Sequence, residues 1–333
     1  LTTPHHTDHK TLPPGVAMSG IELASGSKRL QVQWVPDVAP GTHAIRCLDW
    51  DRDRFDIEFG LVAGTTYNSF LIFGADKTAL VDASHEKFRG LYLAELNARL
   101  AAAGRTLDYI IVSHTEPDHS GTVPDVLAAH PGATVLASRV ALSYLANLTH
   151  APFPQAAVKA GETVDLGGGH LLEFVPAPNL HWPDTMFTHD PASGTLFTCD
   201  AFGAHYCVEA PYDADLVALS PHFRFYFECL MLPNARSVST ALRKISGLKY
   251  ATIGTGHGPI LRHNVKDLVG KYGAWAAAAG KNAAAVAVLY CSAYGSERLS
   301  QSLARGITKA GGVGVEMVDL LSAEPQEVAE AVR

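Results

Sequence analysis

From Thr65 to Ser84 the order TTYNSFLIFGADKTALVDAS places two short β-rich runs on either side of a Gly-Ala-Asp-Lys turn, which predicts a hairpin. EKFRGLYLAELNARLAAAG then spaces its apolar residues at helical intervals and stops at Gly104. A strand is expected over Tyr109 to Ser113, and beyond it Ser120 is placed to cap a helix running through Val126 to about His130, with Pro124 tolerable only near its start. The alternation continues with ATVLAS as a strand, a helix from Arg139 to Leu148, and strands over Thr163 to Leu166 and Leu171 to Pro176. TMFTHD and GTLFTCD read as two more strands around a Pro-Ala-Ser-Gly turn. A mainly helical stretch from Ala214 to Leu248 leads into the strand YATIG and the loop TGHGP. This mixture predicts α/β layers with the strands inside.

The pattern changes at WAAAAGKNAAA, Trp275 to Ala285, a low-complexity stretch expected to join two domains. After it, AAVAVLYCSAYGSERLSQSLARGITKAGGVGVEMVDL reads as strand, tight glycine loop, helix and strand, the opening βαβ of a doubly wound sheet. Such a sheet needs about five strands, and the pattern supplies two. The expected division is an N-terminal extension over 1–43, partly disordered, a first domain over 44–280 and an incomplete second domain over 284–333. A chain of 333 residues supports two domains, since it exceeds the size at which one core stops growing.

Composition narrows the partners. The formal net charge of -7 and the lack of any Lys/Arg run argue against nucleic acid and anionic membrane surfaces. No apolar stretch approaches the roughly 20 residues needed to span a bilayer, so a soluble protein is expected. The chain begins at Leu1 with the polar LTTPHHTDHKTLPPG, as a processed product would, and His5, His6 and His9 there read as a disordered end rather than a metal site. Cys47, Cys199, Cys207, Cys229 and Cys291 are odd in number and scattered without a C-x-x-C pair, which favours reduced thiols over disulfides or a zinc knuckle.

The candidate chemistry sits just past the strands. SHTEPDHSG follows the apolar run YIIV and packs His114, Glu116, Asp118 and His119 into six positions. His181 follows LLEFVPAPNL, Asp200 ends GTLFTC, and His257 sits between glycines after YATI. Imidazole and carboxylate suit borderline and hard first-row ions, and a carboxylate can bridge two of them. His114 and Glu116, two apart in an extended loop, can face one ion while Asp118 and His119 turn to another, so two metals are expected.

H-x-E-x-D-H followed by isolated His, Asp and His resembles the metallo-β-lactamase-like domain of the flavodiiron proteins, and the βαβ segment after it matches their domain order. Stretches such as LDWDRDRFDIEFG, TTYNSFLI, ALVDASHEKFR and APNLHWPDT are most similar to the oxygen-reducing branch of oxygenic phototrophs. The resemblance implies an αββα sandwich followed by a flavodoxin-like segment. It implies one iron held by His114, Glu116 and His181, a second by Asp118, His119 and His257, and Asp200 bridging. Hydrolases of this fold carry histidine where this sequence has Glu116, and they use zinc. A carboxylate there makes the pocket harder and more negative, which favours iron. Two ferrous charges are matched by Glu116, Asp118, Asp200 and a bridging hydroxide, as a buried cluster requires.

In the second domain Ser292, Ala293, Tyr294, Gly295 and Ser296 follow a strand and open a helix, where backbone N–H groups can hold a phosphate. The resemblance makes this the FMN phosphate loop, although the family usually has one more residue between the positions of Gly295 and Glu297. Without the remaining flavodoxin loops, FMN is expected to bind poorly to this segment. The implied activity is reduction of dioxygen to water, a photoprotective electron sink, with nitric oxide as the competing substrate and NAD(P)H or reduced ferredoxin as donor. A head-to-tail homodimer or larger assembly is implied, in a cyanobacterial cytoplasm or an algal chloroplast stroma. The rival readings are a zinc hydrolase and a non-catalytic subunit that pairs with an active partner.

Overall fold

In the computed structural model, residues 14–21, 29–55, 59–279, 284–291, 296–310 and 313–332 are described. The tail histidines His5, His6 and His9 and the loop residues Ser292, Ala293, Tyr294 and Gly295 lie outside them, while Ser296 opens a helix.

The first sheet draws on the N-terminal half of the chain. Its strands are β1 (Ala17–Ile21), β2 (Leu30–Ala39) and β3 (Thr42–Asp49), then, past a small ribbon of β4 (Arg54–Phe55) with β5 (Phe59–Gly60), β6 (Thr65–Phe73) and β7 (Thr78–Val81). Helix α1 (Arg89–Ala102) crosses to β8 (Tyr109–Val112). Two short helices, α2 (Pro117–Ser120) and α3 (Val123–Ala129), lead to β9 (Thr134–Ala137), and α4 (Arg139–Thr149) leads to β10 (Gln155–Ala157). The order in the sheet is β1-β2-β3-β6-β7-β8-β9-β10, with β7, β8 and β9 parallel.

A second sheet follows, ordered β11 (Thr163–Asp165), β12 (Leu171–Pro176), β13 (Met186–Asp190), β14 (Thr195–Cys199) and β15 (Thr252–Thr255), the last two parallel. Between β14 and β15 come α5 (Leu216–Tyr226), a π turn, a 3-10 turn and α6 (Ala235–Ile245), and after β15 comes α7 (Val265–Ala279). The last elements are β16 (Ala284–Tyr290), α8 (Ser296–Ala310), β17 (Val313–Asp319) and α9 (Pro325–Ala331), with β16 and β17 parallel.

Strand alternation sorts the first sheet's residues between two cores. Leu71, Leu80 and Ile110 face α1, α3 and α4, where Tyr92, Leu96, Val126 and Leu145 meet them. Their neighbours Phe70, Ile72, Val81 and Ile111 face the second sheet and pack on Leu172, Phe174, Met186 and Phe197. The rings of Phe70 and Phe197 lie 5.0 Å apart across that seam. Beyond it, Phe187, Leu196 and Ile253 are covered by α5, α6 and α7 through Phe223, Val238, Ile245 and Tyr272. Helix, sheet, sheet, helix is the expected αββα sandwich. No described helix is long and apolar enough to cross a membrane.

Three expectations change. Residues 30–43, assigned above to an extension, supply β2 and the start of β3, because Gln33 of β2 is drawn inside by the buried guanidinium of Arg46, 2.5 Å away. Ser120 caps no helix: its hydroxyl donates back to the carbonyls of Thr115 and Glu116, and α3 starts after Thr122. The alanine stretch is helical as far as Ala279, where Trp275 packs on Phe227 and Tyr272, and residues 280–283 lie outside the described residues. Gly104 does end the α1 segment, at φ 62, in the left-handed region that glycine enters freely.

Candidate metal centre

The functional side chains gather where several strands end on one side of the sandwich, the usual place for a site in an α/β sheet. The loop after β8 carries His114 and Glu116, and α2, with Pro117 in its first turn, carries Asp118 and His119. Asp200 follows β14 directly, His257 follows β15, and His181 lies in the loop between β12 and β13. All seven side chains are buried.

They form two groups. In one, His114, Glu116, His181 and Asp200 bring one potential ligand atom each within 4.8 Å of one another; in the other, Asp118, His119 and His257 do the same. Glu116 Oε2 lies 2.7 Å from His181 Nε2 and 3.4 Å from His114 Nε2. His257 Nε2 lies 3.3 Å from Asp118 Oδ2 and 3.1 Å from His119 Nε2. Asp200 divides its carboxylate between them. Its Oδ2 faces His181 at 2.8 Å and His114 at 3.4 Å, while its Oδ1 faces His119 at 2.8 Å and His257 at 3.5 Å. All four histidines present Nε2 inward.

The charges are balanced internally. Burial opposes charge on His114 and His119, but Asp200 beside the first and Asp118 beside the second outweigh it and hold both well above the ordinary histidine range. Burial likewise works against His181, yet Glu116 raises it to about 9. Asp118 and Asp200 are buried too, and the neighbouring histidines hold both below the usual carboxylate range. A cation entering here replaces protons rather than filling a neutral space.

The donor set fits a pair of hard or borderline cations. Three carboxylates and four imidazoles converge. Both oxygens of Asp200 and Oδ1 of Asp118 are buried without a conventional hydrogen bond, and such acceptors are costly unless a cation or proton meets them. Cys199, at φ 49, brings its sulfur close to His119 and Asp200, but burial pushes its thiol up to about 11 and leaves it neutral. None of the five cysteines is in a disulfide.

Several supporting residues carried no signal in the sequence. Asp82 accepts the Ser113 backbone N–H at 2.7 Å, and Asp184 accepts from both the backbone and the hydroxyl of Thr115, so two buried carboxylates hold the loop that bears His114 and Glu116. At the other end, His257 Nδ1 donates to the Thr66 carbonyl at 2.7 Å and the Asn68 amide ties the Thr255 and Gly258 carbonyls, so β6 orients His257. Gly256 leaves room for His119: a Cβ there would sit 2.7 Å from His119 Cε1. His205, five residues after Asp200, is buried against Phe55, Tyr226 and His257, and burial together with His257 holds it well below the usual histidine range, hence neutral. Only a folded chain could reveal these, because each supports a residue distant in sequence.

The family described as "ODP family beta lactamase" matches residues 65–258. Diflavin flavoprotein A 1 of Synechocystis sp. is 56% identical over 92% of this chain and 53% of its own length. A putative diflavin flavoprotein A 1 of Nostoc sp. is 54% identical over 91% of this chain and 52% of its own. Among solved structures, the metal-soaked Flv1 flavodiiron core from Synechocystis sp. superposes with a TM-score of 0.83 at 36% identity, covering 92% of this chain and 75% of that one. A fragment of putative diflavin flavoprotein A 5 from Nostoc sp. gives 0.69 at 36% identity, covering 74% of this chain and 97% of that fragment. The chain spans about half the length of the curated relatives it matches.

Proposed function

This chain belongs to the flavodiiron proteins, and from that premise we propose that its buried centre holds two irons and reduces dioxygen to water with electrons relayed through FMN. The observation that carries the reading is the carboxylate of Glu116 set between His114 and His181, in a cluster whose two halves share Asp200. A zinc hydrolase of the same fold would gain nothing from an extra negative charge at that position. In this proposal His114, Glu116 and His181 hold one iron, Asp118, His119 and His257 the other, and Asp200 both.

Two ferrous ions and a reduced flavin would together supply the four electrons that O2 needs, with four protons, to become two water molecules. The chain's own contribution is positional. Asp82 and Asp184 hold the His114–Glu116 loop, Thr66 keeps the His257 proton on Nδ1 so that Nε2 faces the centre, and burial of the whole set keeps bulk water away from the donors. The electron donor in this reading is NAD(P)H or reduced ferredoxin. The working assembly is a head-to-tail homodimer or higher oligomer, in a cyanobacterial cytoplasm or a chloroplast stroma. The FMN loop assigned to Ser292 through Ser296 belongs to the same proposal.

The test begins with elemental analysis of protein purified without added metal, followed by anaerobic reduction and rapid mixing with O2 or with NO. Two irons per chain and oxidation by O2 are expected. Oxidation by NO alone would transfer the reading to nitric oxide reduction, and zinc with no oxidation by either gas would end it.

A further inference from the structure

β3 sends alternate residues to opposite faces of the first sheet. Ile45 and Cys47 face the helices, so Arg46 between them points the other way, as Ala44 does, toward the second sheet. The strand register sets Gln33, Arg46 and Asn68 side by side across β2, β3 and β6, and all three are 0% exposed. This buried polar row donates to carbonyls of the loops past β14 and β15. Arg46 reaches the side-chain oxygen of Gln33 at 2.5 Å, the Val208 carbonyl at 3.2 Å, and the Glu209 and Gly258 carbonyls at 3.5 Å each. Gln33 adds a bond to the Glu209 carbonyl at 2.8 Å, and Asn68 holds the carbonyls of Thr255 and Gly258 at 2.9 Å each. Val208 and Glu209 lie in the segment that follows Asp200, and Gly258 follows His257 directly.

Neutral amides are enough to tie loop carbonyls, as Gln33 and Asn68 do. Arg46 adds a charge, and among the described residues no carboxylate pairs with it. The carboxylate of Glu209, whose backbone it touches, turns outward to Arg29 at 3.7 Å. Burial raises both the Cys207 thiol and the Tyr212 phenol nearby, so neither supplies a negative charge. Burial lowers Arg46 as well, to about 10, which leaves it a cation at neutral pH. Its Nε has no hydrogen-bond acceptor at all. An interior charge without a counter-ion is among the costliest groups a fold can bury. Its presence behind the loop that bears His257 implies a role that a neutral side chain would not fill.

We propose that the charge of Arg46 biases the proposed iron pair toward its ferrous state, acting from behind the loops that carry Asp200 and His257. The proposal rests on the di-iron reading above. Each oxidation step adds a positive charge to the centre, and a fixed cation in the same low-dielectric interior opposes that step. The bias favours electron flow from a reduced flavin into the pair. Arg46 touches neither metal nor substrate; it is a positioning residue for the two loops and acts on the pair through its field.

Iron-loaded wild-type protein would be compared with Arg46→Lys, Arg46→Gln and Arg46→Met by iron content and by anaerobic redox titration with mediators, followed by electron paramagnetic resonance. Lys keeps the charge and should stay close to the wild-type potential. Gln and Met remove it, and each is expected to keep two irons while the equilibrium moves toward the ferric form by about tenfold, equivalent to about 59 mV for one electron. An unchanged potential in Arg46→Met with both irons present would overturn the proposal. Equal shifts in all three variants would mark displaced loops rather than a lost charge, and would overturn it too. Should Arg46→Met not fold, Lys and Gln decide, since both keep donors and only one keeps the charge: equal potentials in that pair, or loss of iron from the Gln variant, would count against the proposal. A wild-type protein that takes up no iron pair would instead defeat the di-iron reading.

Discussion

The two halves of the centre use the same residue types to different effect. In the half made by His114, Glu116 and His181, both imidazoles face one carboxylate, so the protonated, metal-free group is already attractive. In the other half the imidazoles of His119 and His257 face each other at 3.1 Å, with Asp118 beside them at 3.6 Å and 3.3 Å. Two nitrogen lone pairs cannot share that gap unless a proton or a cation lies between or beside them. Imidazole–carboxylate attraction holds both halves, but only the second also needs a proton or a cation between or beside its facing imidazoles. Asp200, with one oxygen toward each, ties the two together.

Asp200→Ala removes that tie and should have the largest effect: both irons are lost, read by elemental analysis, and retention of one would show that Asp200 serves a single half. His257→Ala should break only the second half, leaving one iron per chain; loss of both would mean that the halves do not load separately. Glu116→His acts on the first half alone and should keep two metals while shifting competitive loading from iron toward zinc, by about tenfold or more if carboxylate hardness sets the preference. Unchanged iron occupancy would contradict that role. Gly256→Ala is the mildest and replaces no proposed ligand. Its new methyl, 2.7 Å from His119 Cε1 and 3.0 Å from Cys199 Sγ, should push His119 outward and weaken the second iron several-fold, with the first unaffected. Equal weakening of both, measured by chelator titration, would show that the halves are mechanically one.

Much of this was readable before folding. The hairpin of β6 and β7, α1 with its Gly104 stop, and the strands preceding each proposed ligand follow from apolar periods of two and of three to four residues, which are local properties. What escaped was non-local. β2 joins the sheet with Gln33 buried beside Arg46, a polar pair that no alternation pattern marks as interior. Ser120, in a good capping context, spends its hydroxyl on carbonyls of the metal loop instead.

The sandwich and the segment after it make the same point. The sandwich covers each sheet with helices on one face and with the other sheet on the second, while the described residues from β16 to the end of the segment leave Val286, Leu289, Leu299, Leu303, Leu321 and Val332 exposed, since two strands cannot shield themselves. The sequence by itself determined that strands lie inside and helices outside, and the chemical kind of each proposed ligand, because periodicity and side-chain type belong to short stretches of chain. Only the tertiary structure decided that Asp200 looks both ways and that His119 turns inward to meet a histidine 138 positions away, because these depend on where separate strand ends come to rest in space.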